Sequence, residues 1–292
     1  MSHPVVVGVD DPAVSSAAVD WAADEAQQRG LRLHLVHAWD SGAGDSGAGD
    51  EPLSLADKRV LRISGTALQE LAAEAASSRP GLEVSSGIVE IPVREALVEL
   101  SAEAELLVVG SRGSGGFAGL LVGSTSLYIA ANSVGPVVVV PGTGGAAARP
   151  DAAVVVGLRG REPGEELLEF AFEQAQRGGL PLQVVHAWSY PLVAGPGRSF
   201  PPVYEEGHVA DEATRLLAAL LAGWRQKYPE VQVTEDVVRS GAAKRLVELS
   251  ATARLVVVGR HRRAGGPVGR LGSVSQAVVH HADCPVAVLP FV

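Results

Sequence analysis

Short apolar runs alternate along the chain with longer stretches in which apolar residues recur every three or four positions, and this alternation sets the first expectation for the fold. VVVGV, Val5–Val9, is too short for a helix and rich in β-branched residues, the pattern of a strand buried on both faces. Asp11 and Pro12 follow, an N-cap residue and a proline at the first helical position. Val14, Ala18, Trp21, Ala22 and Ala26 then fall on one face of a helix that stops at Gly30. LRLHLVHAW predicts a second strand. Beyond it Val60, Leu61, Leu68, Leu71, Ala72 and Ala75 repeat at helical spacing up to Pro80-Gly81, and a third strand, Leu82–Ile88, and a helix after Pro92 come next. Glu105–Gly110 predicts the fourth strand, Gly123-Ser124 the start of a fourth helix, and Val137–Val140, bounded by proline at both ends, the fifth strand. The order βαβαβαβαβ implies an α/β fold, a doubly wound five-stranded parallel sheet with helices on both faces, because right-handed crossovers place them there. Ligands of such sheets sit beyond the carboxyl ends of the strands where strand order reverses, so the loops after strands one and four are the candidate site.

The whole pattern is written twice. Gly259 lies 149 residues after Gly110, and the same offset relates Gly8 to Gly157, His37-Ala38-Trp39 to His186-Ala187-Trp188, and Gly123-Ser124 to Gly272-Ser273. LVELSAEAELLVVG from Leu97 aligns without a gap on LVELSATARLVVVG from Leu246. A repeat this long signals two complete tandem domains rather than a solenoid. We expect them at residues 1–142 and 151–292, joined by the small-residue segment GTGGAAARPDA. The low-complexity patch SGAGDSGAGD, residues 41–50, predicts a mobile loop; its counterpart, SYPLVAGPGRSFPP, is richer in proline and aromatics and predicts a stiffer one. The apolar fifth strands, Val137–Val140 and Val286–Leu289, are candidates to pair as sheet edges, in a pseudo-dimer within one chain or in a homodimer.

Composition narrows the classes. The 292 residues are 47% hydrophobic but only 4% aromatic, so the cores are built from Val, Leu and Ala. One cysteine, Cys284, excludes a disulfide framework and fits a reducing compartment. MSHPVVVGVD has no basic region followed by a long apolar one, and no stretch approaches the ~18 apolar residues of a membrane span. We therefore expect a soluble cytoplasmic protein. The formal net charge of −9 argues against nucleic-acid or membrane partners. That charge is uneven: residues 1–149 hold 9 basic and 18 acidic residues, the remainder 15 of each.

The chemistry concentrates in GSRGSGGFAGLLVGSTS, Gly110–Ser126. Its glycines let backbone N–H groups approach a ligand closely, and the helix that follows presents its positive end, with Ser124, Thr125 and Ser126 as hydroxyl donors. The pattern predicts phosphate binding. A GxxxxGK[ST] loop is excluded because no lysine is present, and the Gly113-x-Gly115 pair with Ala118 stands after the fourth strand, whereas a dinucleotide fingerprint stands after the first.

Gly110-x2-Gly113-x9-Gly123-Ser124 resembles the nucleotide motif of the universal stress protein family, G-x2-G-x9-G-[S/T]. The aspartate ending VVVGVD, the VHA tripeptide ending strand two and the GPVVVVP fifth strand agree with it, and the resemblance spans both halves. It implies an adenine-nucleotide alpha hydrolase-like fold and an ATP site. The ribose and adenine would lie on Gly8, Val9, Asp10 and Ala38, and the phosphates on Gly110, Arg112, Gly113, Ser114, Gly115, Gly123, Ser124 and Thr125. Arg112 reads equally as a solvated loop residue. The implied function is an ATP-binding stress-response sensor or regulator. Alternatives are a slow Mg²⁺-dependent ATPase, with Asp10 or Asp11 positioning the metal or water, and a nucleotide-free interaction scaffold. No catalytic constellation is visible.

The second copy departs from the motif. Arg159 replaces Asp10 and Arg262 replaces Gly113, while Gly157, Ala187, Gly259, Gly272 and Ser273 remain. We expect this second site to bind ATP weakly or not at all, against the opposing reading that Arg260, Arg262, Arg263 and Arg270 hold phosphate or another anion. His37 and His186 lack partners at metal-ligand spacing and predict packing at strand ends. His280-His281 predict a partly exposed helix end, Cys284 a buried inert thiol, and Trp39 and Trp188 packing near the strand ends, with stacking on adenine as the alternative.

Overall fold

The computed structural model describes residues 3–39, 55–113, 122–142, 152–159, 164–188, 193–195, 198–200, 206–239, 241–261 and 269–291. The expected loop at residues 41–50 and the linker core at 143–151 lie outside them. The first half runs β1 (Val5–Gly8), α1 (Pro12–Arg29), β2 (Leu33–Ala38), α2 (Leu55–Ser78), β3 (Val84–Val89), α3 (Val93–Glu103), β4 (Leu106–Gly110), α4 (Ser124–Asn132) and β5 (Val137–Val140). The second half runs β6 (Val154–Arg159), α5 (Glu165–Gly178), β7 (Leu182–Trp188), β8 (Val193–Gly195), β9 (Arg198–Phe200), α6 (Glu206–Lys227), β10 (Val233–Arg239), α7 (Ala242–Ser250), β11 (Leu255–His261), α8 (Ser273–His281) and β12 (Val286–Phe291). The stretch expected to be the stiffer loop contains the antiparallel pair β8–β9.

The other strands form one sheet in the order β10-β7-β6-β11-β12-β5-β4-β1-β2-β3. Within each half the strands are parallel, and strand order reverses between β1 and β4 and between β6 and β11. The fifth strands join inside the chain: β12 pairs antiparallel with β5, Ala287 opposite Val138. Each strand thereby covers the other's apolar edge.

Two apolar cores, one on each face of the sheet, cross this seam without interruption. One packs α1, α2, α5 and α6 and includes Ala22, Leu68, Phe172 and Leu221; the other packs α3, α4, α7 and α8 and includes Leu97, Ile129, Leu246 and Val278. Burying a valine or leucine side chain contributes roughly 1.5–3 kcal/mol, so these walls dominate the folding energy. The faces expected for α1 and α2 hold at Ala18, Ala22, Ala26, Leu68, Ala72 and Ala75. Val60 differs: it is exposed in the first turns of α2.

Repeat-related residues meet across the seam. Glu25 of α1 accepts a hydrogen bond from Nε2 of Gln174, the residue 149 positions later, at 2.5 Å, and is ion-paired with Arg29. The Arg29 guanidinium lies over the Phe170 ring, 5.5 Å from its centroid.

Candidate functional site

The first crevice is built at the carboxyl ends of β1 and β4. Val9 N–H donates to Val36 O at 2.8 Å, and the His37 imidazole donates through Nδ1 to Val9 O at 2.8 Å, which fixes the backbone that leads into Asp10. His37 is thus a packing residue that orients the β1 turn, as expected. Asp10 is exposed, and its N–H points at Ser15 Oγ, 3.3 Å away, at the start of α1.

The fourth-strand loop is anchored by residues that the motif does not contain. Ser111 N–H donates to Val140 O at 2.7 Å, Ser111 O accepts from Gly123 N at 2.7 Å, and Ser111 Oγ accepts from Gly142 N at 3.2 Å. Ser111 therefore ties the strand end, the start of α4 and the end of β5 together. Ser126 Oγ donates to Gly110 O at 2.7 Å, and Ser275 Oγ repeats this bond to Gly259 O at 2.7 Å. Of the three hydroxyls expected to face the anion, the buried Ser126 is thus turned back onto the strand; Ser124 is exposed and Thr125 half-buried.

The glycines have different reasons. A Cβ on Gly8 would stand 3.1 Å from Leu97 Cδ2, and one on Gly157 2.8 Å from Leu246 Cδ1, so these two make room for α3 and α7. A Cβ on Gly113 would stand 2.5 Å from Asp10 Oδ2: the loop backbone is pressed against the strand-one carboxylate. Gly123 is different again. It caps α4 with φ −71°, and its Cβ would find only ordinary contacts, the nearest at 3.5 Å. Protein packing does not demand glycine there.

Asp10, Gly110, Arg112, Gly113, Gly123, Ser124 and Thr125 therefore converge on one crevice, with Ala38 at the end of the neighbouring β2. Ser114 and Gly115 lie outside the described residues. A cavity of about 320 Å³ opens beside Ser111, Arg112 and Gly142, and its far wall is the end of α8 and the turn that follows, His280–Cys284. Among the described residues, no three His, Cys, Asp or Glu side chains cluster as a metal site.

In the second half, β11 and β12 remain paired through Arg260↔Pro290 and His261↔Phe291, two positions beyond the point that corresponds to Gly110↔Val140. Phe291, which occupies the place of Gly142, lies against Gly259. Arg260 is 6% exposed and donates through Nη2 to Ser133 O of the first half, so it braces the seam rather than standing ready for an anion. Asn132 Oδ1 accepts from Gly269 N at 2.7 Å beside it. A cavity of about 780 Å³ occupies this crevice, lined by Gly157, Ala187, Gly259, Gly272 and Ser273 together with Ala131–Val134 of the first half. Arg262 and Arg263 lie outside the described residues. That the second crevice borrows a wall, Ala131–Val134, from the first half has no signal in the sequence.

Burial lowers the pKa of His186, and lowers that of His34 together with the Arg32 charge. Burial pushes the Cys284 thiol up to about 12. His280 is half-buried and His281 exposed. No described helix is long and apolar enough to cross a membrane.

Comparison with known proteins bears on family and fold. The profile of the universal stress protein family matches residues 1–141 and again 152–290. A universal stress protein of Mycobacterium tuberculosis is 37% identical over 303 residues, covering 97% of this chain and 94% of that one. One from Mycolicibacterium smegmatis is 35% identical over 289 residues, covering 98% and 97%. The crystal structure of a universal stress protein from Archaeoglobus fulgidus superposes with a TM-score of 0.69 at 18% identity, covering 99% of both chains, which speaks for the fold.

Proposed function

The chain belongs to the universal stress protein family, and from that premise we propose that its first half binds ATP and that the protein is a cytoplasmic, nucleotide-dependent sensor or regulator of a stress response. The observation that carries this reading is the contact of Gly113 with the Asp10 carboxylate at the crevice where strand order reverses, in front of a helix whose capping glycine the protein's own packing does not require. Asp10 is an acceptor for ribose hydroxyls, and Val9 and Ala38 offer backbone to the adenine edge. Gly110, Arg112, Gly113, Gly123, Ser124 and Thr125, with Ser114 and Gly115, surround the phosphates. We assign the halves as domains 1–142 and 151–292, with nucleotide in the first.

The residues fit the group. A triphosphate needs N–H donors and no nearby Cβ, which the loop glycines and the α4 terminus supply, and a ribose needs an acceptor, which Asp10 supplies. The test is ATP titration by calorimetry, with mass spectrometry of nucleotide retained on gentle purification. We expect one ATP per chain. Losing a charge-assisted bond of roughly 1.5–3 kcal/mol, Asp10→Ala should weaken binding about tenfold or more. Gly113→Arg should abolish it. Binding that survives both substitutions unchanged would place the nucleotide elsewhere.

A further inference from the structure

Arg29 ends α1 and has no partner in the repeat: its counterpart 149 positions later, at the end of α5, is Gly178. In the first half the Arg29 guanidinium pairs with Glu25 and Glu105 and lies over the Phe170 ring. The same offset relates Glu25 to Gln174, Glu105 to Arg254 and, in the opposite direction, Phe170 to Trp21. Trp21, Glu25, Gln174, Gly178 and Arg254 all line one cavity of about 260 Å³. The cavity therefore stands where the repeat would carry a second guanidinium. It opens at the starts of β6 and β11, marked by Val154 and Leu255, at the opposite end of the strands from both crevices.

The wall keeps polar groups that the protein does not use. Glu25 and Gln174 are 5% and 6% exposed. Both bonds to the Glu25 carboxylate fall on Oε1, from Arg29 and from Gln174 Nε2. Glu25 Oε2 and Gln174 Oε1 accept no hydrogen bond. Unlike Arg29 Nη2, an unpaired atom sealed in the core, they are not closed off from solvent, and the cavity is what both side chains border. Arg254, half-buried, forms no ion pair among the described residues. The volume is a little below the roughly 300–1,000 Å³ of sites for drug-sized ligands, which suits an occupant of the size of one amino acid.

We infer that this cavity is a ligand site for a free amino acid of the build of arginine, with a guanidinium at one end and a carboxylate at the other. The guanidinium lies on the Trp21 ring and donates to Glu25 Oε2 and Gln174 Oε1, a planar fork facing two acceptors as Arg29 does on the other side. The carboxylate meets Arg254. A bare cation suits the site less well, because Arg29 already neutralises Glu25 and Arg254 repels a second positive charge.

The test is calorimetry on the full chain with L-arginine, agmatine, which lacks the carboxylate, and citrulline, whose side chain is neutral. We expect saturable binding of one arginine per chain, with agmatine and citrulline each about tenfold weaker or more for want of a charge-assisted bond. Arg254→Gln should remove the preference for arginine over agmatine. Trp21→Leu should weaken both about threefold or more. Gly178→Arg should abolish binding by supplying the guanidinium from the chain itself. That variant should fold: Gly178 has no left-handed φ, and the new Cβ meets, at 2.9 Å, the Leu180 side chain, which can turn. No arginine binding, equal affinity for arginine and citrulline, or a preference over agmatine that survives Arg254→Gln would each overturn the site, as would a folded Gly178→Arg chain that still binds. ATP should leave arginine binding intact, so the two readings fail separately: a chain that takes arginine but no ATP refutes only the nucleotide proposal, and one that takes ATP alone refutes only this one.

Discussion

Cys284 sits at the foot of β12, 2% exposed. With its thiol pushed up to about 12 by burial, almost none of it is the reactive thiolate at pH 8. Iodoacetamide should leave it unmodified in the native protein over hours at pH 8 and alkylate it promptly in urea; equal rates in both conditions would contradict this placement. His186 and His34 titrate in the opposite sense to a paired histidine. Burial holds both below the ordinary value, so under mild acid the unfolded chain binds more protons than the folded one. Their contribution is complete above the unfolded pKa, about 6.5, and is lost as pH falls through the lower folded values. The thermal midpoint should therefore drop between pH 7.5 and 5.5, and His186→Gln should flatten the drop. A midpoint that rises on acidification would refute the assignment.

Between elements, the repeat conserves its bolts. Ser101 Oγ accepts from Val134 N at 2.8 Å and Ser250 Oγ accepts from Asp283 N at 3.0 Å, each joining the third helix of its half to the turn before the fifth strand. That junction is tight in the first half: a Cβ on Gly135 would stand 2.7 Å from the Ser101 carbonyl oxygen, a backbone atom that cannot step aside. Gly135→Ala should destabilise the protein by about 1–3 kcal/mol in urea titration, the usual range for overpacking. A change within about 0.5 kcal/mol would mean that the α3–β5 junction yields easily. At the corresponding place the second half carries Cys284, so the two junctions have separated in packing although the serine bolt is common to both.

At the scale of the whole molecule, the halves are held by the β5–β12 ladder, by two cores that run through it, and by a buried polar cluster. The Arg29 and Glu25 side chains are 4% and 6% exposed, and Gln174 donates to the same carboxylate oxygen, Oε1, as Arg29 does. A buried pair adds little over a well-packed apolar substitute, but removing Glu25 leaves the buried Arg29 with only its longer 3.5 Å pair to the half-exposed Glu105. Because Arg29 keeps Glu105, Glu25→Ala should cost less than the roughly 3–5 kcal/mol of a fully stranded charge, and Glu25→Ala with Arg29→Met should recover a large part of the loss in equilibrium unfolding. A double variant no better than the single would show that the cost lies in packing rather than charge.

Hydrophobic periodicity, helix punctuation and the 149-residue offset are properties of neighbours along the chain, and they sufficed for the α/β class, the tandem arrangement and the strand and helix order of each half apart from the β8–β9 pair, which stands where a loop was expected. The glycine spacing after the fourth strand was legible for the same reason, as backbone that must turn and stay uncovered writes itself locally. What only the tertiary structure decided are pairings between residues more than a hundred positions apart. The fifth strands close on each other within the chain, Ser133 and Asn132 of the first half wall the second crevice, and Arg260, one of the arginines that marked that crevice as anion-binding, is spent on the Ser133 carbonyl. Even the nearer turn of Ser126 toward Gly110 depends on how the loop and α4 pack on the strand end. Such partners follow from the packing of one sheet edge on another, and the residue types alone leave them open.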